Sequence, residues 1–260
     1  MGVLNVTPDS FSDGGRFLAP EAAYAHAQTM VEQGAAIIDI GGESTRPGAQ
    51  PVPVEEELRR VLPVIERLAG SAAVISIDTS KPQVMREAAR AGAGLINDVR
   101  ALNEPGALEA TLAGNCAVCL MHMQGEPRTM QVAPHYVDVV SEVRAFLSVR
   151  AHACMDGGLA PSRIAIDPGF GFGKTKAHNL QLVRRLEELA ELNWPLVVGL
   201  SRKSMLASIL GSADADRLSG GVALAVLAAL KGAAIIRAHD VRATVDALKV
   251  VAAVRHDGVG

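Results

Sequence analysis

Short apolar runs recur eight times along the chain, and each run ends abruptly in polar residues. Stretches with a helical spacing of apolar positions separate successive runs. The runs are continuous in Val, Ile and Leu rather than alternating, which is typical of parallel strands buried on both faces. They begin at or beside Val3, Ala36, Val74, Gly94, Ala117, Ile164, Leu196 and Ala234. Eight strands alternating with helices predict an α/β fold, the closed (β/α)8 or TIM barrel.

The length of the chain agrees with one such barrel. It has 260 residues, close to the roughly 250 that are typical of the fold, and no linker-like stretch divides it. We therefore expect residues 1–260 to form a single domain. No apolar run reaches the roughly 18 residues of a membrane span, and the first residues lack the basic and apolar segments of a secretory signal. These features predict a cytoplasmic protein that does not bind membranes.

Charge and cysteine content narrow the possible partners. The net charge is −3, and the basic residues do not form the stripe that binds a nucleic-acid backbone. We therefore expect small-molecule ligands and no nucleic acid. Cys116 and Cys119 have the spacing of a metal knuckle, but residues three apart on a strand point to opposite faces. We interpret both, and Cys154 in a predicted helix, as packing residues.

Helix boundaries can be placed from local signals. Pro20 begins one helix and Gly34 ends it, while Ser80 is expected to cap another helix that has Pro82 in its first turn. A long insertion between the fifth and sixth strands carries a predicted helix at about residues 134–155. These helices would connect the strands of the barrel.

One predicted helix, which begins near Arg217, is apolar almost all the way round. Such a helix is buried on more than one side. Two explanations remain open: a neighbouring helix covers it within the barrel, or it forms the interface of a homodimer.

Polar segments follow the first two strands, at residues 7–15 and 41–48, and both are rich in Gly, Pro, Asp and Ser. At the carboxyl-terminal mouth of a barrel, where active sites lie, such loops can close over a substrate. The alternative is that they are simple turns, since the same residues favour turns for local reasons.

Acids and amides end the middle strands: Asp78 the third, Asn97 and Asp98 the fourth, and Asp167 the sixth. Polar groups directed into an apolar-walled cavity need hydrogen-bond partners. A heterocycle with an amino group beside ring N–H groups would supply them, because a carboxylate accepts two parallel hydrogen bonds. Each acid alone could instead cap the following helix.

Basic residues end the last two strands, in Ser201-Arg-Lys-Ser204 and Arg237-Ala-His239. The loops after strands seven and eight of a barrel often bind phosphate, so an anion is expected here. Arg237 and His239 are two residues apart on an extended segment and can face one ligand. An alternative role for Lys203 is that of a Schiff-base nucleophile.

The segment from Asp167 to Thr175 contains Gly-Lys-Thr but lacks the first glycine of a phosphate-binding P-loop. Its alternating Gly and Phe residues indicate instead a tight loop with a flat apolar surface for an aromatic ligand. His122 is interpreted as a hydrogen-bonded core or rim residue. No cluster of His and acids indicates a metal centre, so a metal is expected to arrive as Mg²⁺ on a phosphorylated ligand.

Taken together, these strand endings resemble the dihydropteroate synthase family, pterin-binding enzymes of folate biosynthesis. The matching stretches are GVLNVTPDSFSDGG, IDIGGESTRPGA, SIDTSKP, INDVRAL, CLMHMQGEPRTMQ, DPGFGFGK, SRKS and IIRAHDV. The resemblance covers nearly the whole chain. It implies condensation of 4-aminobenzoate with 6-hydroxymethyl-7,8-dihydropterin diphosphate, which gives dihydropteroate and pyrophosphate.

The resemblance also implies roles for individual residues. Asn5 would bind Mg²⁺, and Thr45, Arg237 and His239 would contact the diphosphate. The pterin would be held by Asp78, Asn97, Asp167 and Lys203, with Met121 packed against it and the Arg237 guanidinium on its face. The aminobenzoate would lie near Pro47, Phe172, Lys203 and Ser204. Of these residues, Lys203, Arg237, His239 and Thr45 are expected to be catalytic.

Two other functions remain as alternatives. A methyltetrahydrofolate methyltransferase resembles this family in fold and pterin pocket, but it has no need of residues that bind a diphosphate. A pterin-binding protein without turnover could keep the barrel and its polar mouth. Measurement of the products of each reaction would distinguish the three.

Overall fold

The eight predicted strands are present in the structure, a computed structural model that describes residues 1–7, 19–44, 49–126, 129–212 and 214–255. The strands are β1 (Gly2–Asn5), β2 (Ile37–Gly41), β3 (Val74–Asp78), β4 (Leu95–Asp98), β5 (Ala117–Met121), β6 (Ile164–Asp167), β7 (Val197–Val198) and β8 (Ile235–Ile236). All neighbouring strands are parallel. The continuous apolar runs therefore form the buried parallel strands that their composition predicts.

Isolated bridges complete the ring of strands. Strands β1 to β6 form one sheet in chain order, and β7 pairs with β8. Parallel bridges join Ile166 of β6 to Leu196 before β7, and Gly2 of β1 to Ala238 after β8. The Ala238 amide also donates to the Met1 carbonyl at 2.9 Å. The last strand thus returns to the first, as the predicted (β/α)8 barrel requires.

Ten helices lie in the described ranges. They are α1 (Ala19–Glu32), α2 (Val54–Leu68), α3 (Pro82–Ala91), α4 (Ala107–Ala113), α5 (Val139–Asp156), α6 (Lys176–Arg184), α7 (Glu187–Ala190), α8 (Ser204–Leu210), α9 (Leu218–Leu230) and α10 (Val241–Arg255). Gly34, in the left-handed conformation, follows α1, as predicted. The strand-to-helix order brings every strand's carboxyl end to the same mouth.

Two predicted helix starts are wrong. Ser80 does not cap α3, which has Lys81 at its N-cap; the Ser80 hydroxyl donates to the buried Asp98 carboxylate instead. The helix expected from about residue 134 begins at Val139, because the Asp138 carboxylate accepts from the amides of Val140 and Ser141 and so fixes the first turn.

The apolar helix α9 is only partly covered. Leu224, Ala225 and Ala228 are buried, whereas Leu227 is 44% exposed and Leu230 52% exposed. Neighbouring helices of the same chain therefore cover only part of α9, and one apolar side faces outward from the single chain.

The cysteines are packing residues, as predicted. Cys116, Cys119 and Cys154 are all buried free thiols. Cys119 lies inside the barrel against Ala165 and Val197. None of the helices in the described ranges has the length and apolar character needed to cross a membrane.

Candidate active site at the barrel mouth

A cavity of about 190 Å³ lies at the carboxyl ends of the strands. Six residues singled out from the sequence line it: Asn5, Asp78, Phe172, Lys203, Arg237 and His239. They follow strands β1, β3, β6, β7 and β8, which are far apart in the chain. Closure of the barrel therefore brings the predicted acidic and basic groups to one space. Thr45 and Pro47 lie outside the described residues.

Arg237 lies between two carboxylates at the floor of this cavity. Its Nε donates to Asp39 Oδ2 at 2.7 Å, and its Nη2 donates to Asp78 Oδ2 at 2.9 Å. Two of the guanidinium donors are thereby used, and the flat group is fixed in orientation.

Asp39 is a central residue of the site that sequence reasoning missed. Its fully buried carboxylate accepts from Ser76 Oγ at 2.6 Å, from Asn97 Nδ2 at 3.0 Å and from Arg237. The signal was an acid inside the apolar run Ile37–Gly41, where an unpaired charge is too costly to keep.

Asp78 and Asn97 are adjacent in register on β3 and β4. The Asn97 amide nitrogen is bound to Asp39 and one Asp78 oxygen to Arg237, so the second oxygen of Asp78 and the carbonyl oxygen of Asn97 are the atoms left to accept from a ligand. Burial and the neighbouring Asp39 charge raise the pKa of Asp78 to about 7, although Arg237 opposes this. The pair therefore suits a ligand rich in N–H donors.

Asp167 and Met121 lie deeper, side by side at the ends of β6 and β5. The Gly169 amide donates to Asp167 Oδ1 at 2.7 Å, while burial raises the pKa of this carboxyl. Asp98, which the sequence grouped with these acids, points away from the cavity. Its carboxylate accepts from the amides of Arg100 and Leu102, because successive strand residues face opposite sides.

An aromatic ring and a lysine form one wall of the cavity. The Lys203 ammonium lies 4.4 Å from the centroid of the Phe172 ring. Burial and the Arg237 charge lower the pKa of Lys203 to about 8, so the cation form persists at neutral pH. Of the two phenylalanines in the Gly–Phe segment, Phe170 is buried in the core. Phe172 alone supplies the predicted flat surface, and Ser204 is exposed at the first position of α8.

His239 completes the basic side. Its backbone amide donates to Ser201 Oγ at 3.2 Å, and its Nδ1 lies 3.2 Å from the same oxygen. Burial and the Arg237 charge lower the pKa of His239 to about 4. Because the imidazole is therefore neutral near pH 7, Arg237 and Lys203 supply the positive charge that the sequence analysis assigned to this side.

The residues present fit a magnesium ion that a phosphorylated ligand carries with it. Asn5 is half-buried at the end of β1 and offers one amide oxygen to the cavity. The structure describes no group of three or more His, Cys, Asp and Glu residues placed to hold a metal ion. A single oxygen ligand suits Mg²⁺, which keeps several waters and binds through substrate phosphates.

Known proteins resemble the chain over nearly its whole length. A family model described as pterin binding enzyme matches residues 1–239. Dihydropteroate synthase of Escherichia coli (strain K12) is 55% identical over 254 residues, 97% of this chain and 90% of the relative. A structure of Xanthomonas albilineans dihydropteroate synthase with 4-aminobenzoic acid has 54% identity and a TM-score of 0.92, covering 98% of this chain and 92% of that one. Another, in complex with 7,8-dihydropteroate, has 51% identity and a TM-score of 0.88 over 98% and 93% of the two chains.

Proposed function

The chain belongs to the dihydropteroate synthases, within the family of pterin-binding enzymes, and we propose that its barrel mouth carries out their transferase reaction. In that reaction 4-aminobenzoate displaces pyrophosphate from 6-hydroxymethyl-7,8-dihydropterin diphosphate and gives 7,8-dihydropteroate. The observation that carries the proposal is the Arg237 guanidinium, which is held by Asp39 and Asp78 beside Lys203 and His239.

The acceptor side of the cavity is suited to the pterin. Asp78, Asn97 and Asp167 present carboxylate and amide oxygens that would accept from the amino and ring N–H groups of the pterin edge. Met121 lies beside Asp167 and would pack against the ring. The Arg237 guanidinium would lie against the pterin face. Lys203 would donate from the opposite side of the same cavity.

The basic side of the cavity is suited to the leaving group. Breaking the C–O bond of the diphosphate ester leaves positive charge on the pterin CH₂ group, which the electron-rich ring delocalises, and negative charge on pyrophosphate. Arg237 would stabilise that growing negative charge and His239 would donate a hydrogen bond to it. Thr45 would contact the same group. The amine nitrogen then forms the new C–N bond and loses a proton to solvent or pyrophosphate, so no strong protein base is needed.

We propose that Asn5 contributes one oxygen to a Mg²⁺ ion that arrives with the diphosphate. When bound, the ion would neutralise part of the charge on the leaving pyrophosphate. The aminobenzoate would lie on the other wall, near the Phe172 ring and the Lys203 stem, with Ser204 and Pro47 at its outer end. In this arrangement the amine would face the pterin CH₂ group.

We further propose that residues 1–260 form one domain and that the chain forms a homodimer. The exposed apolar side of α9, with Leu227 and Leu230, supports a second copy as its cover. Light scattering at micromolar concentration should give twice the mass of 27.1 kDa, and the monomer mass would contradict the dimer. A cytoplasmic location is supported by three free, buried thiols.

The test is to mix the protein with the pterin diphosphate, 4-aminobenzoate and Mg²⁺, and to follow both products. We expect dihydropteroate and pyrophosphate to form well above the rate without enzyme. Methyl transfer from methyltetrahydrofolate to a corrinoid would instead support the methyltransferase. Tight pterin binding with neither reaction would support a binding protein without turnover.

A further inference from the structure

A buried lysine beneath the cavity has no part in the reaction described above. Lys174 is 3% exposed, and its ammonium lies within hydrogen-bond distance of four acceptors: His122 Nδ1 at 2.8 Å, the carbonyl oxygens of Gly169 and Phe172, each at 3.0 Å, and the His122 carbonyl oxygen at 3.4 Å. A lysine ammonium has three donors. Each of them therefore has a partner, and two of the partners are backbone atoms of the segment that precedes Lys174.

This segment, residues 168–174, connects β6 to α6, and several of its backbone groups are hydrogen-bonded to side chains. Tyr136 Oη donates to the Gly173 carbonyl at 2.9 Å, and Gln131 Nε2 donates to the Gly171 carbonyl. The Gly171 amide donates to Asn179 Oδ1 at 2.8 Å. Without helix or strand pairing of its own, the segment thus depends on side chains to fix its backbone.

Glycines let the segment lie directly against the chain after β5. Gly169, with φ of 67°, is in the left-handed region, and a Cβ there would overlap the His122 carbonyl oxygen. Gly173 has a φ of 62°, and a Cβ there would overlap the Gln124 carbonyl oxygen in the same way. Lys174 binds both sides of this contact, since it donates to His122 and to the segment.

Phe172 is the residue of this segment that faces the cavity, and its carbonyl oxygen is bound by Lys174. By contrast, Asp167 precedes the segment and is fixed by the strand ladder, where its carbonyl accepts from the His122 amide at 3.0 Å. Loss of the Lys174 ammonium would therefore release Phe172 more than Asp167, whose backbone stays in the strand ladder although its carboxylate also accepts from the Gly169 amide.

We propose that Lys174 is a positioning residue for the aminobenzoate half of the site: its ammonium fixes the backbone of residues 168–174 so that the Phe172 ring packs against the Lys203 ammonium in one wall of the cavity. The part of the proposal that concerns aminobenzoate rests on the proposed function. The part that concerns the loop backbone does not rest on the proposed function, and it can be measured without substrates.

The test compares Lys174→Met, which keeps the length of the stem and removes the ammonium, with Tyr136→Phe, which removes one hydrogen bond to the same segment. Lys176→Met is the matched control, because this exposed lysine also donates to a backbone carbonyl, that of Ser208 at 3.1 Å, outside the cavity. Hydrogen exchange of the amides at 168–174 is measured in the ligand-free protein, together with KM for 4-aminobenzoate and Kd for the pterin.

We expect Lys174→Met to speed hydrogen exchange of the segment about tenfold or more, because the free energy of local opening falls when the hydrogen bonds from the ammonium are removed. KM for 4-aminobenzoate should rise about tenfold while the pterin Kd changes less than about threefold, since only contacts to the Phe172 side are lost. Tyr136→Phe should shift both quantities in the same direction by less, and Lys176→Met should shift neither.

Unchanged exchange in both variants would overturn the proposal, even if wild-type turnover is normal. A pterin Kd that rises as much as KM would also overturn it, because Lys174 would then act on the whole site. If Lys174→Met does not fold, Tyr136→Phe decides: unchanged exchange and KM would contradict the role of these ties. A wild-type protein without turnover would refute the proposed function but leave the exchange result standing.

Discussion

Arg237 Nε donates to Asp39 Oδ2 at 2.7 Å, across 198 residues of sequence. The Asp39 side chain is fully buried and that of Arg237 is 20% exposed. The pair joins the segment that follows β8 to β2, the second strand of the barrel. Ser76 and Asn97 also donate to Asp39, so the carboxylate is fixed in place and keeps the guanidinium in one orientation.

Asp39→Asn should destabilise the protein and impair turnover. The substitution leaves Arg237 with Asp78 as its one remaining carboxylate partner, and breaking one side of a buried ion pair costs about 3–5 kcal/mol. Chemical denaturation measures the free energy of unfolding, and kcat is measured with both substrates saturating. We expect kcat to fall more than in a variant of equal stability that keeps both carboxylate partners of Arg237, because the guanidinium loses one of the two groups that orient it.

Ser76→Ala is the matched control for that variant. It removes one hydrogen bond to Asp39 and keeps the charge, so we expect a loss of about 1 kcal/mol and nearly unchanged kcat. If Asp39→Asn were as stable and as active as Ser76→Ala, Asp39 would not hold Arg237 in its working position.

Pterin affinity should fall as the solution is acidified through pH 7. Burial and Asp39 raise the pKa of Asp78 to about 7, and only the ionised carboxylate can accept from the pterin with one oxygen while the other accepts from Arg237. Below this pKa the free carboxyl is protonated, so binding weakens up to about tenfold for each pH unit. Calorimetry with 6-hydroxymethyl-7,8-dihydropterin, which has no phosphate to titrate, measures the effect between pH 8 and pH 5.5.

Asp78→Asn separates this titration from others in the site. The variant should bind the same pterin weakly and with little dependence on pH over that range. A wild-type affinity that stays constant from pH 8 to pH 5.5 would show that Asp78 does not bind the pterin as its carboxylate.

Binding of pyrophosphate with Mg²⁺ should raise the pKa of His239. In the free protein, burial and Arg237 lower this pKa to about 4, so the imidazole is neutral. A nearby anion favours the protonated form, and we expect an upward shift of about one to two units. Nuclear magnetic resonance of the ring C–H signals measures it, with His239→Gln used to assign the signal. The same pKa with and without pyrophosphate would place His239 away from the anion.

Lys203→Ala should weaken the binding of both the pterin and 4-aminobenzoate without unfolding the barrel. The ammonium lies over Phe172 and beside Arg237, so its removal takes away one donor and part of the wall. We expect losses of about 1–3 kcal/mol in each binding free energy, the usual range for a hydrogen bond to a charged group. Lys249→Ala, at an exposed position on α10, is the control, and wild-type turnover in Lys203→Ala would refute its role.

The barrel could be predicted because each strand is a continuous apolar run, a local signal that survives without tertiary information. The residues at the ends of these runs could be predicted for the same reason. The partners of Asp39 could not, since Ser76, Asn97 and Arg237 come from three other parts of the barrel, and the sequence shows only that an acid interrupts an apolar run. Ser80 was misplaced because the carboxylate that binds it lies 18 residues away.

The proposed transferase reaction is tested most directly by measuring dihydropteroate and pyrophosphate together in one reaction of the wild-type protein, with and without 4-aminobenzoate. We predict equal amounts of the two products and little pyrophosphate without 4-aminobenzoate, because the amine captures the pterin CH₂ cation, which otherwise recombines with the pyrophosphate held at Arg237. The proposed reaction would be contradicted if pyrophosphate were released at the same rate without 4-aminobenzoate, or if no dihydropteroate formed when 4-aminobenzoate is present.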